Sequence, residues 1–236
     1  MSAPLPNLVL VPGLNNTSAV FDGVLAALPP TVSAHALDNP ALETVEAIAA
    51  AHLATLPERF WLVGFSFGGY VALAMLEQAP ERVQGIAMLC TAPFADSPAA
   101  AQKRLDALEA VAQGRYLELV ASALGNTFHP DSLTNAPLMA ARQAMVQAYG
   151  PERYAAHVKA TAARPDRRHL LDGSRPTLVL AGSDDKLFPP ATLAAYANAI
   201  PGVVQGVVPG AGHLAPMEQP QSVAQQLARW MVVTAE

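Results

Sequence analysis

Short apolar runs alternate along the chain with longer stretches whose apolar positions recur three or four residues apart. Leu8-Val9-Leu10-Val11 ends at Pro12-Gly13, the pattern of a buried strand running into a tight turn. Residues 32–37 make a weaker strand, closed by Asp38-Asn39-Pro40. Over 42–56, Val45, Ile48, Ala49, His52 and Leu56 share one helical face, and Pro57 stops that helix. A strand at 60–63, a mostly apolar helix at 70–78 halted by Pro80, and a strand at 83–90 follow. The alternation resumes with a strand at 177–181, a helix at 192–200 after Pro189-Pro190, a strand at 203–208 and an amphipathic helix at 222–233. Uninterrupted apolar strands alternating with helices predict an α/β fold: a mostly parallel, doubly wound sheet of about six strands, covered on both faces.

Between Thr91 and Gly173 the period changes. Helical segments at 99–113, 116–124, 138–149 and 154–163 occupy this stretch, with no strand pattern among them. A crossover between parallel strands needs only about a dozen residues, so the insertion is expected to form its own helical layer. The organisation is therefore a sheet core at 1–91, a helical cap at 92–173 and the rest of the core at 174–236. An insertion between strands of one open sheet sits over their carboxyl ends, where such sheets bind ligands.

Composition narrows the function classes. The 236 residues are 52% hydrophobic and 14% charged, against about 25% charged in ordinary domains. Alanine makes up roughly a fifth of the chain. Such a chain is not a charged disordered tail. Fourteen Lys and Arg against nineteen Asp and Glu leave a charge of −5, so no global field draws phosphate polymers. The tight basic cluster Arg164, Arg167, Arg168 and His169 reads as a solvated connection, and no nucleic-acid partner is expected. No apolar run approaches about 18 residues, and Met1 to Pro6 lacks the charged and apolar regions of a signal peptide. These readings give no membrane partner and a cytoplasmic location as expectations, with self-association as a homodimer left open. Cys90, the single cysteine, lies in the apolar run 86–90 and reads as a buried strand residue rather than a catalytic thiol. No cluster shows metal-ligand spacing, so neither metal nor cofactor is expected.

The chemistry concentrates in loops. Gly64-Phe65-Ser66-Phe67-Gly68 matches G-x-S-x-G, a weak signal alone, but a strand precedes it and a helix follows. That context is what a nucleophile elbow requires, since the serine occupies a strained turn and the glycines let strand and helix approach. A serine hydroxyl needs a base, and the base needs an orienting group. Of six histidines, only His213 sits in a loop past the last strand, within Gly210-Ala211-Gly212-His213. His35 falls in a strand and His52 on a helix face; His129, His157 and His169 belong to the insertion, where surface placement is expected. The acid should close the preceding strand, where Gly182-Ser183-Asp184-Asp185 offers Asp185 or Asp184, with Asp96 a remote option.

The order Ser66, acid, His213 is that of the α/β-hydrolase triad, and the chain resembles a compact, bacterial esterase-like member of that superfamily with a helical cap. The resemblance rests on Val11-Pro12-Gly13-Leu14-Asn15, the serine block, the segment from Gly182 to Pro189, and Gly212 to Pro220. It implies Asp185 as the acid, by its position three after Gly182, and the amides of Leu14 and Phe67 as oxyanion donors. Pro12-Gly13 replaces the more usual His-Gly, and Asp38-Asn39-Pro40-Ala41 replaces a glycine-rich loop. The reaction implied is acyl transfer on a carboxylic ester, lactone or thioester. Lyases, acyltransferases, cofactor-free haloperoxidases and silent ligand-binding members share the same constellation. Phe65, Phe94, Phe128, Phe188 and Met217 are candidates for an apolar acyl pocket, which favours a small uncharged ester as partner.

Overall fold

The computed structural model describes residues 6–233. Most of the N-terminal stretch considered for a signal therefore lies outside the described residues. Six parallel strands form one sheet: β1 (Asn7–Val11), β2 (Ser33–Ala36), β3 (Phe60–Phe65), β4 (Val83–Leu89), β5 (Thr177–Gly182) and β6 (Val204–Val208). Their order is β2-β1-β3-β4-β5-β6. The chain steps outward from β1 to β2, then returns to lay β3 on the other side of β1. The carboxyl ends of β1 and β3 thus flank the point where the winding reverses, the place where open α/β sheets leave a crevice.

Every residue of the interior strands β3 and β5 is buried, which explains their unbroken apolar runs. Successive side chains nonetheless serve different cores. Val9, Leu62, Met88 and Val179 face one side, against α2 (Val45–Leu53), α3 (Phe67–Gln78) and, further along, α9 (Pro190–Ala197). Leu8, Val63, Ala87 and Leu178 face the other, against α1 (Asp22–Ala27) and α11 (Pro220–Val233). Each fully buried Val, Leu, Ile or Phe contributes about 1.5–3 kcal/mol, so the two layers supply most of the stabilisation. Trp230 of α11 closes the second layer edge-on against Trp61, with ring centroids 4.9 Å apart.

The insertion between β4 and β5 is all helical: α4 (Pro98–Ala112), α5 (Tyr116–Ser122), α6 (Leu124–Thr127), α7 (Ala136–Tyr149) and α8 (Pro151–Ala163). Local chemistry sets the helix starts. Ser97 caps α4 and Asn135 caps α7 by accepting from backbone amides three residues on, and proline opens α4, α7 and α8. Thr44 does the same for α2, which therefore begins at Val45 rather than at residue 42. The cap has its own small core of Tyr116, Val120, Tyr149, Tyr154 and Val158. The short α1 and a one-turn helix, α10 (Ala215–Glu218), carry no periodic signal of useful length and do not emerge from the sequence pattern. Among the described residues, no helix is long and apolar enough to cross a membrane.

Two polar expectations fail. The cluster at 164–169 is only half solvated: Arg168 and His169 are exposed, but Arg164 and Arg167 are buried. Arg164 lies 3.9 Å over the Tyr70 ring and pairs with Asp96 at 2.8 Å; Arg167 pairs with Glu46 and Glu77. A guanidinium paired with carboxylates is buried at lower cost than a solitary one. His157 is fully buried, not on the surface, and His52 is buried on its helix face.

Candidate active site

Ser66 occupies the single residue between β3 and α3, with φ 50 and ψ −119. This left-handed backbone costs on the order of 1–3 kcal/mol for a residue with a side chain. Neighbouring bonds impose it: the Ser66 amide donates to Leu89 O at 3.0 Å, and Ser66 O accepts from Thr91 Oγ1 and the Gly69 amide, each at 2.8 Å. Glycine is obligatory on both sides of the turn. A Cβ on Gly64 would lie 2.5 Å from Gly69 Cα, and one on Gly68 would lie 2.1 Å from Val11 O. The turn also places Ser66 at the N-terminus of α3, the end of a helix that favours negative charge.

His213 and Asp185 arrive from the ends of β6 and β5. The Ser66 hydroxyl lies 2.8 Å from His213 Nε2, and His213 Nδ1 lies 2.8 Å from Asp185 Oδ2. Asp185 Oδ1 accepts from the Leu187 and Phe188 amides at 2.8 and 2.9 Å. Held by these donors, the carboxylate accepts a hydrogen bond from Nδ1–H, which leaves Nε2 free to accept from Ser66. The His213 ring is held between Phe65 and Phe188, with centroids 5.4 and 5.8 Å away. The neighbouring Asp184 points elsewhere: its side chain is 48% exposed, against 0% for Asp185, and it accepts from Ser183 Oγ. Asp96 lines the same cavity but makes no bond within the relay, being engaged by Arg104 and Arg164.

The loop after β1 closes the opposite side. Gly13 is so near the serine that a Cβ there would meet Ser66 Cβ at 3.1 Å. Among the described residues, neither the Leu14 nor the Phe67 amide donates to a protein acceptor, and both residues line the same cavity as Ser66. The Asp38 to Ala41 segment braces this loop. Asn39 Nδ2 donates to Pro12 O at 3.0 Å, while Asn39 Oδ1 lies 2.9 Å from His52 Nε2. From the cap, His157 lies 2.7 Å from Pro40 O and stacks on the Phe67 ring at 4.8 Å. Burial pulls both imidazoles down to about 4, so each ring is neutral near pH 7.

Cys90, at φ 49 just past β4, is buried behind the relay, its Sγ within 4.8 Å of Asp185 and His213 ligand atoms. Burial pushes its thiol well above the ordinary range. A metal needs the thiolate and a free imidazole nitrogen, and both nitrogens of His213 are already committed. The trio reads as packing behind the serine.

The cavity in front of Ser66 holds about 580 Å³, within the range of small-molecule pockets. Phe94 and Phe188 line it as expected, together with Phe67. Phe65, Phe128 and Met217 do not: all three pack into the core layer of α1 and α11. Phe65 still reaches the site indirectly, through the back of the His213 ring. The wall is not uncharged, because Lys103, Arg104, Arg142 and Arg164 also line it. One signal could have revealed Arg142. It falls between Leu138, Met139, Met145 and Val146, on the apolar stripe of its own helix, where a solvated arginine has no reason to be. His157 carries the same mark between Tyr154, Val158 and Thr161.

The chain spans less than half the length of the curated relatives it matches. It is 33% identical over 96 residues to the pimeloyl-[acyl-carrier protein] methyl ester esterase of Nitrosomonas europaea, 37% of this chain and 38% of that protein. It is 28% identical to the biotin biosynthesis bifunctional protein BioHC of Cellvibrio japonicus, over 92% of this chain and 46% of that one. Among solved structures, a thermophilic esterase from Thermogutta terrifontis superposes with a TM-score of 0.90 at 29% identity, covering 98% of this chain and 91% of the other. The enol-lactonase of Burkholderia xenovorans LB400 gives 0.86 at 22% identity, covering 98% and 92%, a likeness of fold. Residues 33–220 match the family described by the alpha/beta hydrolase fold, and the chain belongs to that family.

Proposed function

We propose that this chain hydrolyses carboxylic esters of small molecules through an acyl-enzyme on Ser66. The observation that carries the reading is the unbroken relay from Ser66 Oγ to His213 to Asp185, each contact 2.8 Å. His213 Nε2 takes the hydroxyl proton as Oγ attacks the ester carbonyl, and Asp185 holds the imidazole tautomer and favours the cation that forms. The Leu14 and Phe67 amides receive the oxyanion, where one good donor is worth about 3–4 kcal/mol. His213 then protonates the leaving alcohol, and water, activated by the same ring, releases the acid. The esterases among the relatives support this reading. A lactone is an ester closed on itself, so it falls within the same chemistry.

Reaction with a fluorophosphonate probe, followed by peptide mapping, tests the assignment. Wild-type protein should carry the adduct on Ser66, and His213→Ala should abolish labelling. Turnover of a short-chain ester by Ser66→Ala should fall by about 10⁴-fold or more. Folded protein that cleaves the ester but takes no adduct at Ser66 would refute the proposal.

A further inference from the structure

One buried cation in the cavity wall has no counter-charge among the described residues. Arg142 lines the cavity from α7 and is only 6% exposed. Its Nη1 donates to Asn15 O at 2.6 Å and Asn16 Oδ1 at 2.8 Å, both uncharged acceptors. Nε is buried without a partner, and Nη2 meets no protein acceptor among the described residues. No ion pair among the described residues includes Arg142. Burial pulls the guanidinium down to about 10, which still leaves it charged near neutrality. An unpaired buried cation is costly, and a fold retains one most readily where a ligand completes it.

The surroundings reinforce the imbalance. Lys103, Arg104 and Arg164 share the wall, against one lining carboxylate, Asp96. Arg104 and Arg164 both spend their charge on Asp96, at 3.2 and 2.8 Å. Arg142 is thus the buried cation left over. It also stands beside Asn15 and Asn16, the residues directly after Leu14, so an anion held there lies next to the proposed oxyanion loop.

Resting on the ester-hydrolase reading, we propose that Arg142 binds an ionised carboxylate of the substrate, so that the preferred substrates are half-esters or lactones bearing a free carboxylate. The contact falls first to Nη2, because Nε is closed to water. Nη2 therefore makes the charge-assisted bond to the carboxylate, with Nη1 held by Asn15 and Asn16. The expected neutral ester is therefore replaced by an anionic one.

Two matched esters, monomethyl adipate and methyl hexanoate, test this by pH-stat hydrolysis. Wild-type protein should favour the half-ester in kcat/KM by about tenfold or more, and Arg142→Met should erase most of that ratio, chiefly through KM. Arg142→Lys should restore part of it. Because Arg142 also holds Asn15, activity on both esters can fall together, and only the ratio reads carboxylate recognition. Equal losses on both, or no wild-type preference, would overturn the proposal and leave Arg142 as a brace for the loop. Binding to Ser66→Ala, measured by calorimetry, separates this from the parent reading. Monomethyl adipate should bind it and lose about tenfold or more in Kd when Arg142→Met is added. Failure of the serine probe with that binding intact would count against the esterase reading alone. An Arg142→Met change that leaves the Kd unmoved would count against this one.

Discussion

Asp184 and Asp185 are chemically identical and adjacent, yet their surroundings give them opposite prospects. Asp185 is closed from solvent, with one oxygen on two backbone amides and the other on His213. Asp184 is half exposed, bonded to Ser183 and 3.6 Å from His129. Asp185→Asn should lower kcat by about 10⁴-fold, because the amide can no longer hold the Nδ1–H tautomer. Asp184→Asn should change kcat/KM by less than about threefold, as expected of a surface carboxylate. Steady-state rates of the two variants decide it, and a dead Asp184→Asn would mean the relay is misassigned. The motif spacing already favoured Asp185, but the sequence holds nothing of the two amides that fix its oxygen. They come from Leu187 and Phe188 folding back over the turn. The same is true of Arg142, whose type was visible while its missing partner was not.

At the scale of elements, the helical insertion and the loop carrying His213 share a buried carboxylate, beside the backbone bond from the Leu214 amide to Thr127 O. Glu218 of α10 accepts from the Gly212 amide at 2.9 Å, and from the His129 amide and Ser132 Oγ at 2.7 Å each. Burial pushes Glu218 up, against the pull of bonds from Ser132, His129 and Gly212. Glu218→Ala leaves three donors without their acceptor, which should destabilise the fold by about 2–3 kcal/mol. Activity should also fall, by about tenfold, because Gly212 precedes His213 directly. Glu218→Gln, which keeps one acceptor oxygen, should land between the two. Denaturant titration and kcat/KM on one ester measure both effects; an alanine variant matching wild type would show the bridge to be idle. Strand and helix order were legible from apolar period alone, because burial on both faces dictates it. This bridge was not, since it pairs residues more than eighty positions apart.

Over the whole molecule, two buried neutral imidazoles tie layers together: His52 from α2 through Asn39, and His157 from α8 through Pro40. Desolvation by burial pulls each to about 4 in the fold, below about 6.5 in the unfolded chain. The unfolded state therefore binds more protons below that pH, and stability falls as the medium is acidified. Each ring contributes a slope of about 1.4 kcal/mol per pH unit. The contribution is complete above pH 6.5 and is lost progressively towards pH 4. Urea midpoints taken across that window should drop, and the drop should shrink in a His157→Phe variant. A flat profile between those values would show that neither ring is buried uncharged.

The sequence by itself determined the sheet, its alternation with helices, the helical insertion and the serine turn, because each is written in local period or in residues that permit one backbone. It also brought Ser66 and His213 forward as candidates, since few loops carry such residues at strand ends. Tertiary structure alone decided which aromatic side chains face the cavity, which arginines are paired, and how Asn39, His157 and Glu218 brace the site. Those depend on which face of one element meets which face of another, and no local pattern encodes that meeting. Hence the expected apolar pocket is a cavity lined by Phe67, Phe94 and Phe188 that also carries four cations in its wall.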